Sequence, residues 1–573
     1  MTEYTAITFA PVQGFIEKSR KLRDLYGASI VLSYLSSKLV ESALSQGLEV
    51  ISPGLPNLQK GMPNRILIKG KFERNDVEKV LLDEWKKVLV ICREWIEENL
   101  GFPKDNYSWS QTEEQKGKQK GEWERWESYT WEIFWGHGNS VDRAMEDLET
   151  RKLKRGWTGI NWMGESSSLT GTDAIAWHQL GRTLEKGEDP GRSLTPEEKD
   201  ALELFYRRLS WLLDNPDYRV GKPHLSLQQL RDYEESKPEE IGKYIAPNER
   251  LSIPELVKRL VTYDAIADEI DMVKLKPTKN DPEFKDINRN AGYWTAWFMG
   301  DGDKVGDKLQ ILATRNPDNL EEGDRNLKTF TDLMRNWGKE FEKQSDSFTA
   351  GEMRVIYAGG DDFLGVLYSK ESKNQENALK IKPSDAFEWL RKLPIYWEQL
   401  QKDIDDRLKL QFTFSVGFVW AGHQVPQRDI LQHCREAEKR AKSLGRDRVT
   451  IRVVFNSGQY VQWTCPWDYL DILTKYRDRN QKTGAEANWN HIYSDWAQLK
   501  ARHAIRLQTT ENNPIVKDIA LSLFDLYFDN AADRFRKQRK WVYLTGKIDD
   551  ETIVKWLDDL IEIGWQLCRS SSI

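Results

Sequence analysis

Two adjacent carboxylates, Asp361 and Asp362, follow a pair of glycines in Tyr357-Ala358-Gly359-Gly360-Asp361-Asp362-Phe363. Glycine adapts to a tight turn and leaves no side chain to obstruct a bulky phosphorylated ligand. Aspartate supplies hard oxygen ligands of the kind that hold Mg²⁺. The flanking runs Met353-Arg354-Val355-Ile356-Tyr357 and Phe363-Leu364-Gly365-Val366-Leu367-Tyr368 are rich in β-branched and aromatic residues. They predict a hairpin with the acidic pair at its turn. The chemistry such a pattern could do is metal-assisted phosphoryl transfer at a palm-type nucleotide site.

A third carboxylate has to come from a separate strand, because ions about 3.5–4 Å apart must be bridged from more than one direction. The apolar run Trp294-Thr295-Ala296-Trp297-Phe298-Met299 reads as that strand and ends in Gly300-Asp301-Gly302-Asp303-Lys304-Val305-Gly306-Asp307. The same residues equally suit an acidic turn and helix N-cap, and Asp303 is either a further ligand or that cap. Downstream, Gln411 to Trp420 alternates as a strand, and Pro426 opens a helix with apolar Ile430, Leu431, Cys434, Ala437, Ala441 and Leu444. Gly445 closes that helix, and Arg448 to Val454 follows as another strand. Lys442, near the helix end, could meet a triphosphate as a point charge, although a cation there also complements the helix dipole. From about 292 to 455 the order is strand, helix, hairpin, helix, strand, helix, strand, that of a ferredoxin-like palm with additions.

The combination of Asp301-Gly302-Asp303, Gly359-Gly360-Asp361-Asp362, Phe414-Ser415-Val416-Gly417 and Glu436-Ala437-Glu438-Lys439-Arg440-Ala441-Lys442 resembles the large palm subunit of type III CRISPR-Cas effector complexes, in its Cmr branch. The stretch from Ile7 to Gly27, and Met62-Pro63-Asn64-Arg65 ahead of an apolar strand, are similar to the start of that family's first palm. The resemblance is strong over roughly 1–100 and 290–460 and weak elsewhere. It implies an α+β protein with two ferredoxin-like palms, the first degenerate, plus helical inter-palm and C-terminal domains. It also implies conversion of ATP into a second messenger, usually cyclic oligoadenylate, when the complex binds target RNA. Carried onto this chain, Asp301, Asp361 and Asp362 would hold two Mg²⁺ or Mn²⁺ ions, with Asp303 an optional further ligand. Gly302, Gly359 and Gly360 would admit the nucleotide, Lys442 would contact its phosphates, and the helix around Thr329 to Trp337 would border the base. The implied partners are the other subunits of the complex, with guide RNA and target RNA reached mostly through them.

The domains expected are a first palm at 1–105, a mostly helical inter-palm segment with insertions at 106–275, the second palm at 276–460 and a helical domain at 461–573. Thr5 to Gly14 and Thr295 to Gly306 both read as strand, turn and helix start, yet the first has no carboxylate at the strand end. Only the second palm is therefore expected to bind catalytic metal.

Two departures from the family pattern narrow the expectation. The four cysteines, Cys92, Cys434, Cys465 and Cys568, are far apart and form no Cys-x-x-Cys pair, and none lies from Trp162-Met163-Gly164-Glu165 through Leu169-Thr170-Gly171. Free thiols are expected, and structural zinc is not. Many relatives begin with a nuclease domain built on adjacent His-Asp ligands, whereas none of the seven histidines here precedes Asp. DNA cleavage of that kind is not expected.

Composition bounds the rest. The 573 residues leave room for three to five domains. A mean hydropathy of −0.69, with 31% charged residues and no long apolar run, excludes a membrane span. No signal-peptide pattern precedes Tyr4, so the expected compartment is the cytoplasm. A net charge of −6 argues against a large independent nucleic-acid surface. Two basic runs, Lys18 to Arg23 and Arg534 to Lys540, read as solvated helix faces or as local RNA contacts. Gln111 to Gly121 and Glu185 to Pro196 have loop composition. Trp123, Trp126, Trp131 and Trp135, drawn from 24 tryptophans, suit packing or a subunit interface better than nucleotide stacking. Beyond 461, Trp467 to Tyr476, Ile515 to Phe528 and Thr552 to Cys568 have helical apolar spacing. That domain is expected to dock on small helical subunits or simply to form its own core. Two further classes remain for the whole chain: a stand-alone GGDEF-like nucleotide cyclase, and a non-catalytic scaffold of the RNA-guided complex. Asp362, where such cyclases usually have Glu, counts against the first. The retained carboxylates, mutually repulsive without metal, count against the second.

Overall fold

The computed structural model describes residues 2–52, 65–110, 121–154, 164–181, 189, 193–216, 224–238, 241–272, 293–316, 319–369, 380–507, 514–528 and 550–568. Met62-Pro63-Asn64, Trp162-Met163, the basic run Arg534 to Lys540, and most of the loops Gln111 to Gly121 and Glu185 to Pro196 lie outside the described residues. By contact the chain divides into two units, Met1–Ile287 with Ala313–Asp332, and Asn288–Leu312 with Leu333–Ile573.

In the first unit the apolar run Tyr4–Ala10 forms β1, followed by α1 (Leu22–Ser45), β2 (Glu49–Ser52), β3 (Arg65–Lys69), α2 (Arg74–Asn99), β4 (Glu132–Gly138), α3 (Val141–Leu153), α4 (Pro196–Asp214) and α5 (Ile253–Leu260). The sheet order is β2-β3-β1-β4, with β1 antiparallel to both neighbours. Read from the other edge, that is last, first, third, second, the ferredoxin-like arrangement. Its last strand lies inside the 106–275 segment that the sequence reads as mostly helical. The strand's alternation is interrupted by Gly136 and Gly138, where a Cβ would collide with the backbone of Ala144 and Leu148 on α3. Close helix-on-strand packing, not propensity, sets those two residues.

The N-terminal basic run is neither a solvated face nor an open cationic surface. Lys18 pairs with Asp173 at 2.8 Å and Lys21 with Glu249 at 3.3 Å. Arg23 donates to the Lys243 carbonyl and the Thr262 hydroxyl and lies over the Tyr244 ring. Beneath them Arg259, fully buried, pairs with Asp24 and with Glu249. Asp24 also accepts the amides of Arg20 and Lys21, closing the first turn of α1. Gly27 faces the Lys258 carbonyl with no room for a side chain, so α1 and α5 meet at backbone distance. The motif from Ile7 to Gly27 is thus the surface that receives α5.

The tryptophan cluster packs into the core, with Trp126 and Trp135 half-buried at its margin. Trp123 and Trp131 are buried, and Trp131 meets Phe15 at 5.0 Å and Trp85 at 5.6 Å in ring-centroid distance. Such tilted and edge-to-face pairs add specificity to the apolar burial.

The second unit carries β5 (Thr295–Gly302), α6 (Val305–Thr314), α7 (Leu320–Lys343), β6 (Glu352–Ala358), β7 (Phe363–Tyr368), α8 (Pro383–Leu408), β8 (Phe414–Ala421), α9 (Gln427–Ser443), β9 (Arg448–Val454) and β10 (Tyr460–Pro466). The unit boundaries fall within α6 and α7, so parts of both helices count with the first unit. The sheet order is β10-β9-β8-β5-β7-β6. The four strands from β8 to the β6 edge again follow last, first, third, second, and β9 adds parallel to β8. Aromatic residues floor the hairpin: Trp337 and Phe341 on α7 each lie 5.4 Å from Phe363, and Trp397 on α8 stacks on Phe414 at 4.5 Å. Among the described residues the helices α10 (Asn490–Ala501), α11 (Pro514–Tyr527) and α12 (Asp550–Cys568) follow the sheet. Trp556 on α12 donates to the Thr464 carbonyl and lies 5.5 Å from Trp463, so the C-terminal helices close one face of β10. The four cysteines are free thiols, and no helix among the described residues is long and apolar enough to cross a membrane.

Two stability predictions follow from the Arg259 cluster. Asp24→Ala strands a buried guanidinium, and the urea-unfolding free energy should fall by about 3–5 kcal/mol. Glu249 is buried, which raises its carboxyl, but Arg259 and Lys21 outweigh burial and hold it at about 2 against an ordinary 4.5. A depressed carboxyl stabilises the fold above its ordinary value and loses that contribution as pH falls from 4.5 towards 2. Urea midpoints across that window should fall less steeply in Glu249→Gln than in the wild type.

Candidate active site

The acidic hairpin and the end of β5 meet because β5 pairs with β7 in a register that sets Gly300 opposite Phe363. Ala358 also pairs with Phe363, which leaves Gly359, Gly360, Asp361 and Asp362 as the turn. The Gly302 amide then donates to the Asp361 carbonyl at 3.1 Å. As a result Asp301, Asp361 and Asp362 each present a carboxylate oxygen, all within 4.8 Å of one another. Only hard oxygen donors converge there, a set that suits Mg²⁺ or Mn²⁺ and not a thiophilic ion. Asp362 is exposed to solvent on its open side, and desolvation on the side facing the protein raises its carboxyl to about 6.

Lys442 brings a cation to the cluster. Its ammonium is in ion-pair contact with Asp301 and with Glu438, the latter at 2.7 Å. Burial lowers Lys442 to about 8, with Arg446 adding to the effect. Burial likewise raises Glu438 to about 7, with Asp362 and Asp303 contributing. Glu438 lies in the motif quoted from the sequence but carried no role there. Its spacing of four residues from Lys442 on one helix face was the available signal.

The close fit of α9 on β8 explains Phe414-Ser415-Val416-Gly417. A Cβ on Gly417 would collide with the Cys434 carbonyl and the Glu438 amide, so a bare position lets the helix approach and deliver Glu438 and Lys442. Ser415 has a different task. Its hydroxyl donates to Asp303 Oδ1 at 2.8 Å, and Asp303 Oδ2 accepts from the Thr413 hydroxyl at 2.9 Å and the Asp447 amide at 2.9 Å. Asp303 is buried and lies outside the three-carboxylate cluster, bracing the starts of β8 and β9 against the end of β5. The turn it braces is tight: Gly445, Arg446 and Asp447 all have positive φ, at 130°, 65° and 51°.

The glycines divide in the same way. Gly359 and Gly360 occupy the partly exposed turn beside the carboxylates. Gly302 is buried, and a Cβ there would strike Phe412 and Val305, so packing alone requires it to be bare. Within the Thr329 to Trp337 stretch, Trp337 is buried, packs on Phe363 and donates to the Tyr396 carbonyl at 2.8 Å.

Brace and cluster should separate experimentally. Asp361→Ala with Asp362→Ala should abolish Mn²⁺ binding read by electron paramagnetic resonance. Asp303→Ala, which strands the buried Ser415 hydroxyl together with the Thr413 hydroxyl and the Asp447 amide, should instead lower stability by about 1–3 kcal/mol and leave Mn²⁺ affinity within a few-fold.

Residues 294–450 match the family model described as Cas10/Cmr2, second palm domain, and residues 4–63 match that described as CRISPR-associated protein Cmr2, N-terminal. No curated protein matches the chain. Among solved structures, a Csm1–Csm4 cassette in complex with one ATP is similar at 15% identity and a TM-score of 0.45, over 99% of this chain and 70% of that one. The apo Csm1–Csm4 cassette is similar at 14% identity and a TM-score of 0.44, over 98% and 70%. The cassette in complex with cA4 gives 15% identity and a TM-score of 0.38, over 99% and 70%. The Cmr2 N-terminal match thus spans β1 and α1, and the Cas10/Cmr2 second-palm match encloses Asp301, Asp361 and Asp362, so these two segments are of Cas10/Cmr2 type.

Proposed function

We propose that this chain is a metal-dependent nucleotidyltransferase that converts ATP into cyclic oligoadenylate, or a related adenylate messenger, as the large subunit of a type III CRISPR effector complex. Its partners on this reading are the other subunits of that complex, with guide RNA and target RNA reached mainly through them. Target RNA switches the reaction on. The observation that carries the reading is the convergence of Asp301, Asp361 and Asp362 within 4.8 Å, in a segment that matches the Cas10/Cmr2 second palm.

Asp301, Asp361 and Asp362 would hold two divalent ions, Mg²⁺ or Mn²⁺. When bound, such ions ease deprotonation of an attacking 3′-hydroxyl and neutralise charge on the α-phosphate and departing pyrophosphate. The chain's own residues set the stage. Gly359 and Gly360 leave the turn open for a nucleotide, Gly302 lets Phe412 and Val305 close beneath the strand end, and Lys442 offers an ammonium to the phosphates. Asp303 takes no metal on this reading and fixes the strand that carries Asp301. The reacting palm is the 276–460 segment, and the first palm, with its sheet of β1 to β4, serves as its non-catalytic counterpart.

The chain, co-purified with its guide RNA and partner subunits, should convert ATP to oligoadenylate with Mg²⁺ only when complementary RNA is present, as read by mass spectrometry. Asp361→Ala with Asp362→Ala should cut the product at least about 100-fold, the scale of losing several kcal/mol of metal stabilisation. An assembled, target-bound complex that makes no nucleotide product with Mg²⁺ or Mn²⁺ would favour a scaffold role.

A further inference from the structure

Lys442 has two carboxylate partners of different kinds. Asp301 belongs to the candidate metal cluster, whereas Glu438 stands outside it. Glu438 is buried, its backbone is seated against β8 by the bare Gly417, and its carboxylate meets the Lys442 ammonium at 2.7 Å. A divalent ion taken up by Asp301 repels an ammonium on the same oxygen, because two cations cannot share one carboxylate at contact distance without strong repulsion. Nothing in that exchange removes Glu438.

We propose that Glu438 is a positioning residue: it retains the Lys442 ammonium beside the carboxylate cluster when metal displaces it from Asp301, and so presents it to the phosphates of the bound nucleoside triphosphate. The inference rests on the nucleotide-site reading above and adds to it a residue that touches neither metal nor nucleotide. A free lysine side chain spends its rotamer entropy on every phosphate contact. One held through a salt bridge four residues back on a rigid helix has already lost that freedom, so the contact forms at lower cost. Glu438 also explains why a lysine, and not the bidentate arginine, serves here: a point charge can be shared between a carboxylate and a phosphate, whereas a planar fork commits to one.

The test uses the full chain, Mn²⁺ and a non-hydrolysable ATP analogue, with Mn²⁺ affinity read by electron paramagnetic resonance and analogue affinity by calorimetry. Glu438→Ala should leave Mn²⁺ affinity within about twofold and weaken the analogue by about tenfold, close to the effect of Lys442→Ala. The double variant Glu438→Ala with Lys442→Ala should be no worse than Lys442→Ala alone, since the two act as one unit. Glu438→Gln, which keeps the shape and one acceptor, should recover part of the loss and guards against misfolding of the alanine variant. In the assembled complex Glu438→Ala should raise KM for ATP more than it lowers kcat. A fall in Mn²⁺ affinity in Glu438→Ala would make Glu438 a metal ligand and overturn the proposal. Unchanged analogue affinity, or losses that add in the double variant, would overturn it as well. Failure of the wild-type chain to bind Mn²⁺ and analogue together would instead bring down the nucleotide-site reading, and this inference with it.

Discussion

Three carboxylates with oxygens inside 4.8 Å repel one another, and the second unit is organised around holding them there. The pairing of β5 with β7 does most of that work, because it fixes the strand that ends in Asp301 beside the turn that carries Asp361 and Asp362. The aromatic bed of Trp337, Phe341 and Phe363 anchors the hairpin from below. Asp303 locks the far side by tying β8 and β9 to the same strand end. The single ammonium of Lys442 offsets part of the charge that remains. Each of these contacts is cheap in isolation, and together they oppose the spreading that electrostatics alone would drive.

The sequence discloses this site unevenly. The hairpin is plain in it, since alternation of β-branched and aromatic residues on either side of Gly-Gly-Asp-Asp is a local signal and the strand pairing follows from it. Asp303 is not, because a carboxylate after a strand looks the same whether it binds an ion or accepts from Ser415, Thr413 and a backbone amide 144 residues away. Glu438 is hidden for a similar reason: burial, which sequence spacing does not report, separates it from the solvated glutamates around it. In the first unit, β4 escapes the pattern because its glycines answer to α3 and not to strand propensity. The run from Lys18 to Arg23 looks like a surface and is mostly consumed by Asp173, Glu249 and the groups around Arg23. Local periodicity is legible; partners more than a hundred residues away are not.

The two sheets repeat one strand order with opposite chemistry at the ends of their first strands. β5 ends in Gly-Asp-Gly-Asp and meets a metal-ready turn, while β1 ends in Ala10-Pro11 and leads to a helix start devoted to receiving α5. Where the second unit concentrates charge at an open turn, the first buries it. Arg259, Asp24 and Glu249 form an interior cluster with almost no exposure, where removing one partner leaves a buried charge uncompensated.

That interior cluster also has a timetable. Asp24 leaves the ribosome 235 residues before Arg259, and Tyr4 leaves 320 residues before Asp324, whose carboxylate accepts a hydrogen bond from its hydroxyl. At bacterial or eukaryotic elongation rates, the first helix waits on the order of 10–60 s for its charged partners. Completion of the first unit further requires Asp324, which is made after β5. The N-terminal fold therefore closes only once the opening strand of the second sheet has already been synthesised, and assembly of the two halves is interleaved in time rather than sequential.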